Sequence, residues 1–159
     1  MYMETSISGE ADESRNLSTA WAQVAAVVTA VDATLGKWLV DNYGIGLTEY
    51  RAALHISRSA DRELRITELS RRVGLNQSSA TRLVGRMEQK ELAFRDTCPD
   101  DGRGVFAVIT DKGLKTVDEV REPFESKIRE LLQDAATHYP HLNLAGLEDS
   151  FAAINTLLS

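Results

Sequence analysis

LNQSSATRLVGRME, residues 75–88, is the stretch on which the reading of this chain turns. Rolled onto a helix, it places Ala80, Leu83, Val84 and Met87 on one face, the i, i+3, i+4, i+7 spacing of a buried stripe. The opposite face carries Ser78, Thr81, Arg82, Gly85 and Gln89, with Arg86 at its edge. The outer face of a core-packed helix is ordinarily long and charged. This one is made of short hydroxyls, arginines and a glycine, and glycine costs roughly 1 kcal/mol against alanine in a helix interior. Such a surface needs a reason in whatever approaches it.

The flanks supply a frame. Asn76 suits the N-cap of this helix. Upstream, the spacing predicts a short helix at 67–73 capped by Thr67, then Gly74 as the turn. Two helices joined by a short Gly-containing turn form a helix-turn-helix. Downstream the period becomes strand-like: Leu92–Arg95 is a short strand, CPDDGRG at 98–104 a turn cluster, and Val105–Thr110 the returning strand. A helix-turn-helix followed by a two-stranded hairpin makes a winged helix-turn-helix, and the fold class is mainly α.

Farther out the chain is helical. Residues 1–13 are polar and expected to be disordered. A long helix near 14–41 spaces Leu17, Trp21, Val24, Val28, Val31, Leu35 and Trp38 in alternating fours and threes, a heptad-like stripe. A second helix follows near 48–59 with Thr48 as N-cap, then a charged loop, SADRELR. After the hairpin, a helix from Thr110 or Asp111 carries Leu114, Val117, Val120, Phe124, Ile128 and Leu131 on one side, with Pro123 inside to kink it or open a new turn. A last helix spans about 144–158, with Phe151 and Ile154 in its apolar stripe. The expected division is therefore a winged domain at 47–110, and a helical dimerisation region at 14–46 and 111–159. Those end helices pair most naturally with each other and with a second copy of the chain.

Composition sets bounds. The 159 residues fit one domain, and the 43% apolar content is ordinary for a globular protein. The most apolar stretch, AWAQVAAVVTAV at 20–31, is interrupted by Gln23 and Thr29 and is too short to span a bilayer. Glu4, Glu10, Asp12 and Glu13 stand where a secretory signal would be basic. A single cysteine, Cys98, excludes an intramolecular disulfide, and a cytoplasmic location is the simplest expectation. The net charge is −6, but from Arg62 to Arg103 there are nine Lys/Arg against seven Asp/Glu. The odd helix therefore lies in the one basic part of an acidic protein, as an anionic contact would require.

Double-stranded DNA fits that face. A major groove accepts a helix whose side chains reach base edges without striking the walls. Gln77 suits adenine, Arg82 or Arg86 suit guanine or phosphate, and Ser78, Ser79 and Thr81 are short hydrogen-bonding groups near the helix N-terminus. Arg103, at the hairpin tip, is placed for an adjacent minor groove.

Taken in order, ITELSRRVGLNQSSATRLVGRMEQKELAFR at 66–95, D-G-R at 101–103 and V-I-T-D-K-G at 108–113 resemble the multiple-antibiotic-resistance regulator (MarR) family. The resemblance implies a homodimeric transcriptional regulator, most often a repressor, on a pseudo-palindromic operator. In that family the recognition helices enter successive major grooves and the wings reach flanking minor grooves. Many members release DNA on binding small, often aromatic, molecules near the junction of dimer helices and winged domain. Trp21, Trp38, Tyr50 and His55 are the candidates here for such an effector pocket, against the ordinary alternative that aromatics at helical spacing are core. One departure stands out. The family usually carries an acidic residue at the position of Gly85, where it often braces the wing arginine; Arg103 is then freer, or braced by Asp100 or Asp101.

Other groups point nowhere in particular. Cys98 sits among Asp96, Asp100 and Asp101, which raise a thiol pKa and argue against a redox sensor. His138, His141 and Asp134 lack the further ligands of a metal site. No nucleophile elbow, phosphate loop or zinc-protease motif occurs, so neither an enzyme nor a cofactor is expected. The competing reading is a winged-helix protein-interaction module without specific DNA binding.

Overall fold

The computed structural model describes residues 17–97, 104–138 and 144–158. Its elements are α1 (Leu17–Tyr43), α2 (Leu47–Ser57), a 3-10 turn (Ala60–Arg62), β1 (Glu63–Arg65), α3 (Ile66–Val73), α4 (Gln77–Gln89), β2 (Ala93–Thr97), β3 (Val105–Ile109), α5 (Asp111–His138) and α6 (Leu144–Leu158). The expected N-terminal disorder at 1–13, Cys98, Arg103 and His141 lie outside the described residues.

The stripe read from the sequence forms the centre of the core. Ala80, Leu83, Val84 and Met87 of α4 are all 0% exposed. They share one cluster with Leu69 of α3, Ala52, Ala53 and Ile56 of α2, and Ala107 of β3. Between α3 and α4 the chain reverses at Gly74, whose φ of +71° is cheap only for glycine. There the Leu75 N–H donates to Ser70 O at 2.9 Å, closing the end of α3.

The wing has one strand more than a hairpin. The sheet is three-stranded and antiparallel in the order β1-β3-β2. Glu63, Leu64 and Arg65, expected as loop, pair with Val108, Ala107 and Phe106. Only Leu64 of the three is buried, so one inward residue between two charged ones carries the strand. A run that short has no period to read. The turn before it holds Asp61 and Arg62 at φ of 55° and 57°, a left-handed pair without glycine. Ser59 Oγ lies 2.6 Å from Ile56 O and 2.8 Å from Glu63 O, tying the turn at both ends.

Two expected caps are corrected. Gly46, not Thr48, precedes α2, and its N–H donates to the Glu49 carboxylate at 2.8 Å. Arg65, not Thr67, precedes α3, because β1 runs straight into that helix and leaves no separate capping residue.

The end helices divide into anchored and open parts. On α1, Leu35 and Leu39 are buried, and Asp32 forms a two-bond pair with Arg51 of α2 at 2.8 and 2.9 Å. Nearer its N-terminus Leu17 (83% exposed), Trp21, Val24 and Val28 stand open. By length and composition alone, α1 would also suffice to cross a membrane. The apolar side of α5 packs Val117, Val120 and Phe124 into the core, and the helix runs unbroken through Pro123. On α6, Phe151 and Ile154 are half exposed.

The start of α5 is held by a close approach. A Cβ on Gly113 would lie 2.2 Å from Leu92 O and 2.7 Å from Ile109 Cγ1. Overpacking of this kind costs about 1–3 kcal/mol or more, since backbone cannot step aside. Gly113→Ala is expected to lower the urea midpoint accordingly; an unchanged midpoint would contradict this packing.

Candidate nucleic-acid interface

Asn76 sets the geometry of the outward face. Its Oδ1 accepts from the Ser79 N–H at 2.8 Å and from the Ser78 hydroxyl at 2.9 Å. The cap expected from the sequence is therefore present, and it fixes the first turn of α4. Gln77, Ser78, Thr81, Arg82 and Arg86 are exposed, while Ser79 is half-buried. Thr81 donates to Gln77 O at 3.0 Å, which leaves the lone pairs of its hydroxyl for an outside donor. Arg82 donates to Ser79 Oγ at 3.1 Å, so Ser79 supports the arginine rather than standing alone on the surface.

The arginines differ in their internal ties. Arg82 has no carboxylate within ion-pair range among the described residues. Arg86 faces Glu49, with Nε 3.6 Å from Oε1. Glu49 is nearly buried and accepts from Lys90 Nζ at 2.7 Å as well as from Gly46 N–H. This carboxylate joins the start of α2 to the end of α4. No motif in the sequence announces it, although an acid three residues after a helix cap is a capping signal.

A second unannounced tie joins α4 to the wing. Arg95 on β2 donates from its backbone N–H to Glu88 Oε1 at 2.8 Å. Its Nε and Nη2 donate to Oε2 at 3.1 and 2.8 Å. These hydrogen bonds from Arg95 hold the Glu88 carboxyl below its usual range, and the carboxylate raises Arg95 in turn. Between α4, the start of α3 and the wing lies a groove of about 390 Å³, lined by Arg65, Thr67, Gln77, Thr81, Arg95 and Gly104 among others. Arg65 carries its guanidinium 5.6 Å from the centre of the Phe106 ring.

The four effector-pocket candidates are spread over α1 and α2. Trp21 is 72% exposed near the start of α1. It stands seventeen positions before Trp38, roughly 25 Å along a helix. Tyr50 is 2% exposed and packs on Phe124 with ring centres 4.7 Å apart; burial pushes its hydroxyl pKa up. Trp38 touches the same Phe124 and Tyr43, at 6.4 and 5.5 Å. His55 is half-buried, and burial, with Arg72, Arg58 and Arg51 around it, holds its pKa below the ordinary value. A separate cleft of about 240 Å³ lies between the end of α1, the end of α4 and the start of α5, lined by Tyr43, Lys90 and Lys112 among others. None of the four candidates borders it.

Residues 43–104 match the sequence profile of the MarR family. The HTH-type transcriptional regulator MhqR of Bacillus subtilis is 28% identical over 93 residues, which cover 58% of this chain and 63% of MhqR. The chain superposes on AbsC, a MarR family transcriptional regulator from Streptomyces coelicolor, with a TM-score of 0.71 at 23% identity, covering 97% and 96% of the two chains. Sco3205, a MarR family regulator from the same organism solved in complex with DNA, gives 0.72 at 22% identity over 89% and 85%. At those identities the structural likeness is one of fold.

The cap is the most exposed point of this surface to test. Asn76→Ala is expected to cost about 1 kcal/mol of folding stability, read from chemical denaturation. A loss no larger than that of an exposed serine-to-alanine change elsewhere on the chain would show that the cap does not hold the helix start.

Proposed function

From the match of residues 43–104 to the MarR family profile, we infer that this chain is a MarR-type double-stranded DNA-binding transcriptional regulator. It acts as a homodimer on a pseudo-palindromic operator, most simply as a cytoplasmic repressor. The observation that carries the reading is the fixed outward face of α4, opposite four fully buried side chains. Gln77, Ser78, Thr81 and Arg82 present amide, hydroxyl and guanidinium groups of the kind that read major-groove edges. Arg86 takes phosphate or guanine while sharing Glu49, and Ser79 holds Arg82. Arg103 is assigned to a flanking minor groove on the resemblance alone.

The homodimer rests on unburied apolar surface. Leu17, Trp21, Val24 and Val28 on α1, with Phe151 and Ile154 on α6, are too much exposed hydrophobic area for a lone chain. A second copy covers such stripes with a symmetric interface. On this reading the winged domain is 47–110 and the dimerisation region is 14–46 and 111–159. Release by a small aromatic effector is part of the proposal, with Trp21, Trp38, Tyr50 and His55 as its candidate residues, Trp21 standing far from Trp38 within one chain.

Arg82→Ala is expected to weaken operator binding by about 1–3 kcal/mol and relax preference at one position of the site, measured by fluorescence anisotropy. Wild-type affinity is expected to fall steeply with salt as counterions are released. A nearly flat salt response would favour a protein-interaction module instead, and an unchanged affinity for the variant would remove Arg82 from the contacts.

A further inference from the structure

We propose that Arg95 is a further DNA contact, which donates to a backbone phosphate from the groove between α4 and the wing; this rests on the DNA-binding reading above. Glu88 occupies one edge of the guanidinium, through Nε and Nη2. Nη1 makes no hydrogen bond among the described residues, and a guanidinium nitrogen of this kind carries two N–H donors. The side chain is 41% exposed and borders the groove together with Thr67, Gln77 and Thr81, none of which brings a negative charge. A guanidinium held by a carboxylate on one edge is pre-organised for an anion on the other, since its rotamer freedom is already lost.

Gly85 acquires a role in this arrangement. A Cβ at that position would stand 3.8 Å from Arg95 Nη2, an ordinary contact. An acidic side chain there would therefore reach the guanidinium at Nη2 and add a second negative charge beside it. With no side chain at position 85, Glu88 is the one carboxylate paired with Arg95 among the described residues, which leaves the guanidinium charge for a phosphate. Glycine thus gives up helix propensity and leaves Arg95 its outward charge.

The sign of one substitution separates this role from a purely structural clamp. Glu88→Gln keeps an acceptor for the Arg95 N–H but removes the competing charge. Wild type, Glu88→Gln, Arg95→Gln and Gly85→Asp are titrated by anisotropy against one operator duplex over a salt series, with thermal melts to establish folding. The expected result is tighter binding by Glu88→Gln, at least several-fold. Arg95→Gln and Gly85→Asp are both expected to weaken binding and to reduce the magnitude of the salt slope by about 0.9, one phosphate's worth. Weakening by Glu88→Gln and Arg95→Gln alike, with slopes unchanged, would overturn the proposal and leave the pair as a clamp. If Arg95→Gln does not fold, Gly85→Asp decides by its slope alone, a wild-type slope overturning the contact. Salt-insensitive binding by wild type itself would instead remove the DNA-binding reading, and this inference with it.

Discussion

Everything outward on this protein depends on one inward constraint, the complete burial of Ala80, Leu83, Val84 and Met87. Burying a large aliphatic side chain is worth about 1.5–3 kcal/mol. Leu83, Val84 and Met87 together outweigh the roughly 1 kcal/mol that Gly85 gives up in helix propensity. The helix is therefore pinned in rotation, and its opposite face points away from the core whatever residues occupy it. That leaves the outer face free to be shaped by function. Polar ties then set the helix in azimuth and tilt: Asn76 at its start, Glu49 with Lys90 at its end, and Glu88 with Arg95 along the wing.

Those ties also grade the positive charges on the outward side of α4 and the wing. An exposed ion pair contributes little to stability, but it changes what an arginine has left to offer. Among the described residues Arg82 leans on a serine hydroxyl, with no carboxylate in ion-pair range. Arg86 shares a nearly buried carboxylate at 3.6 Å, and Arg95 shares one by two short bonds. A net charge of −6 on the chain is thus compatible with a polyanionic partner, because the charge that matters is local and already oriented.

How much of this was legible in the sequence depends on range. The face of α4, its cap and the reversal at Gly74 were legible because period, cap chemistry and turn chemistry all act within one or two turns of chain. The strand β1 was not, since its single buried residue, Leu64, shows no alternation to detect. Thr48 and Thr67 looked like caps because hydroxyls often are, but Glu49 supplied the acceptor at one site and β1 left no room at the other. The pairs Glu49–Lys90 and Glu88–Arg95 bridge different elements, and no spacing rule encodes them. Helical periodicity likewise put Trp21 and Trp38 on one stripe without saying that most of a helix length separates them; only the second reaches the aromatic cluster around Phe124.

The central claim is that the fixed face of α4, doubled by a second copy of the chain, reads DNA. Selection of bound duplexes from a random pool tests it most directly. The account predicts enrichment of a pseudo-palindrome whose half-sites are centred about one helical turn apart. No enrichment over the starting pool, or enrichment of a single undivided half-site, would contradict it.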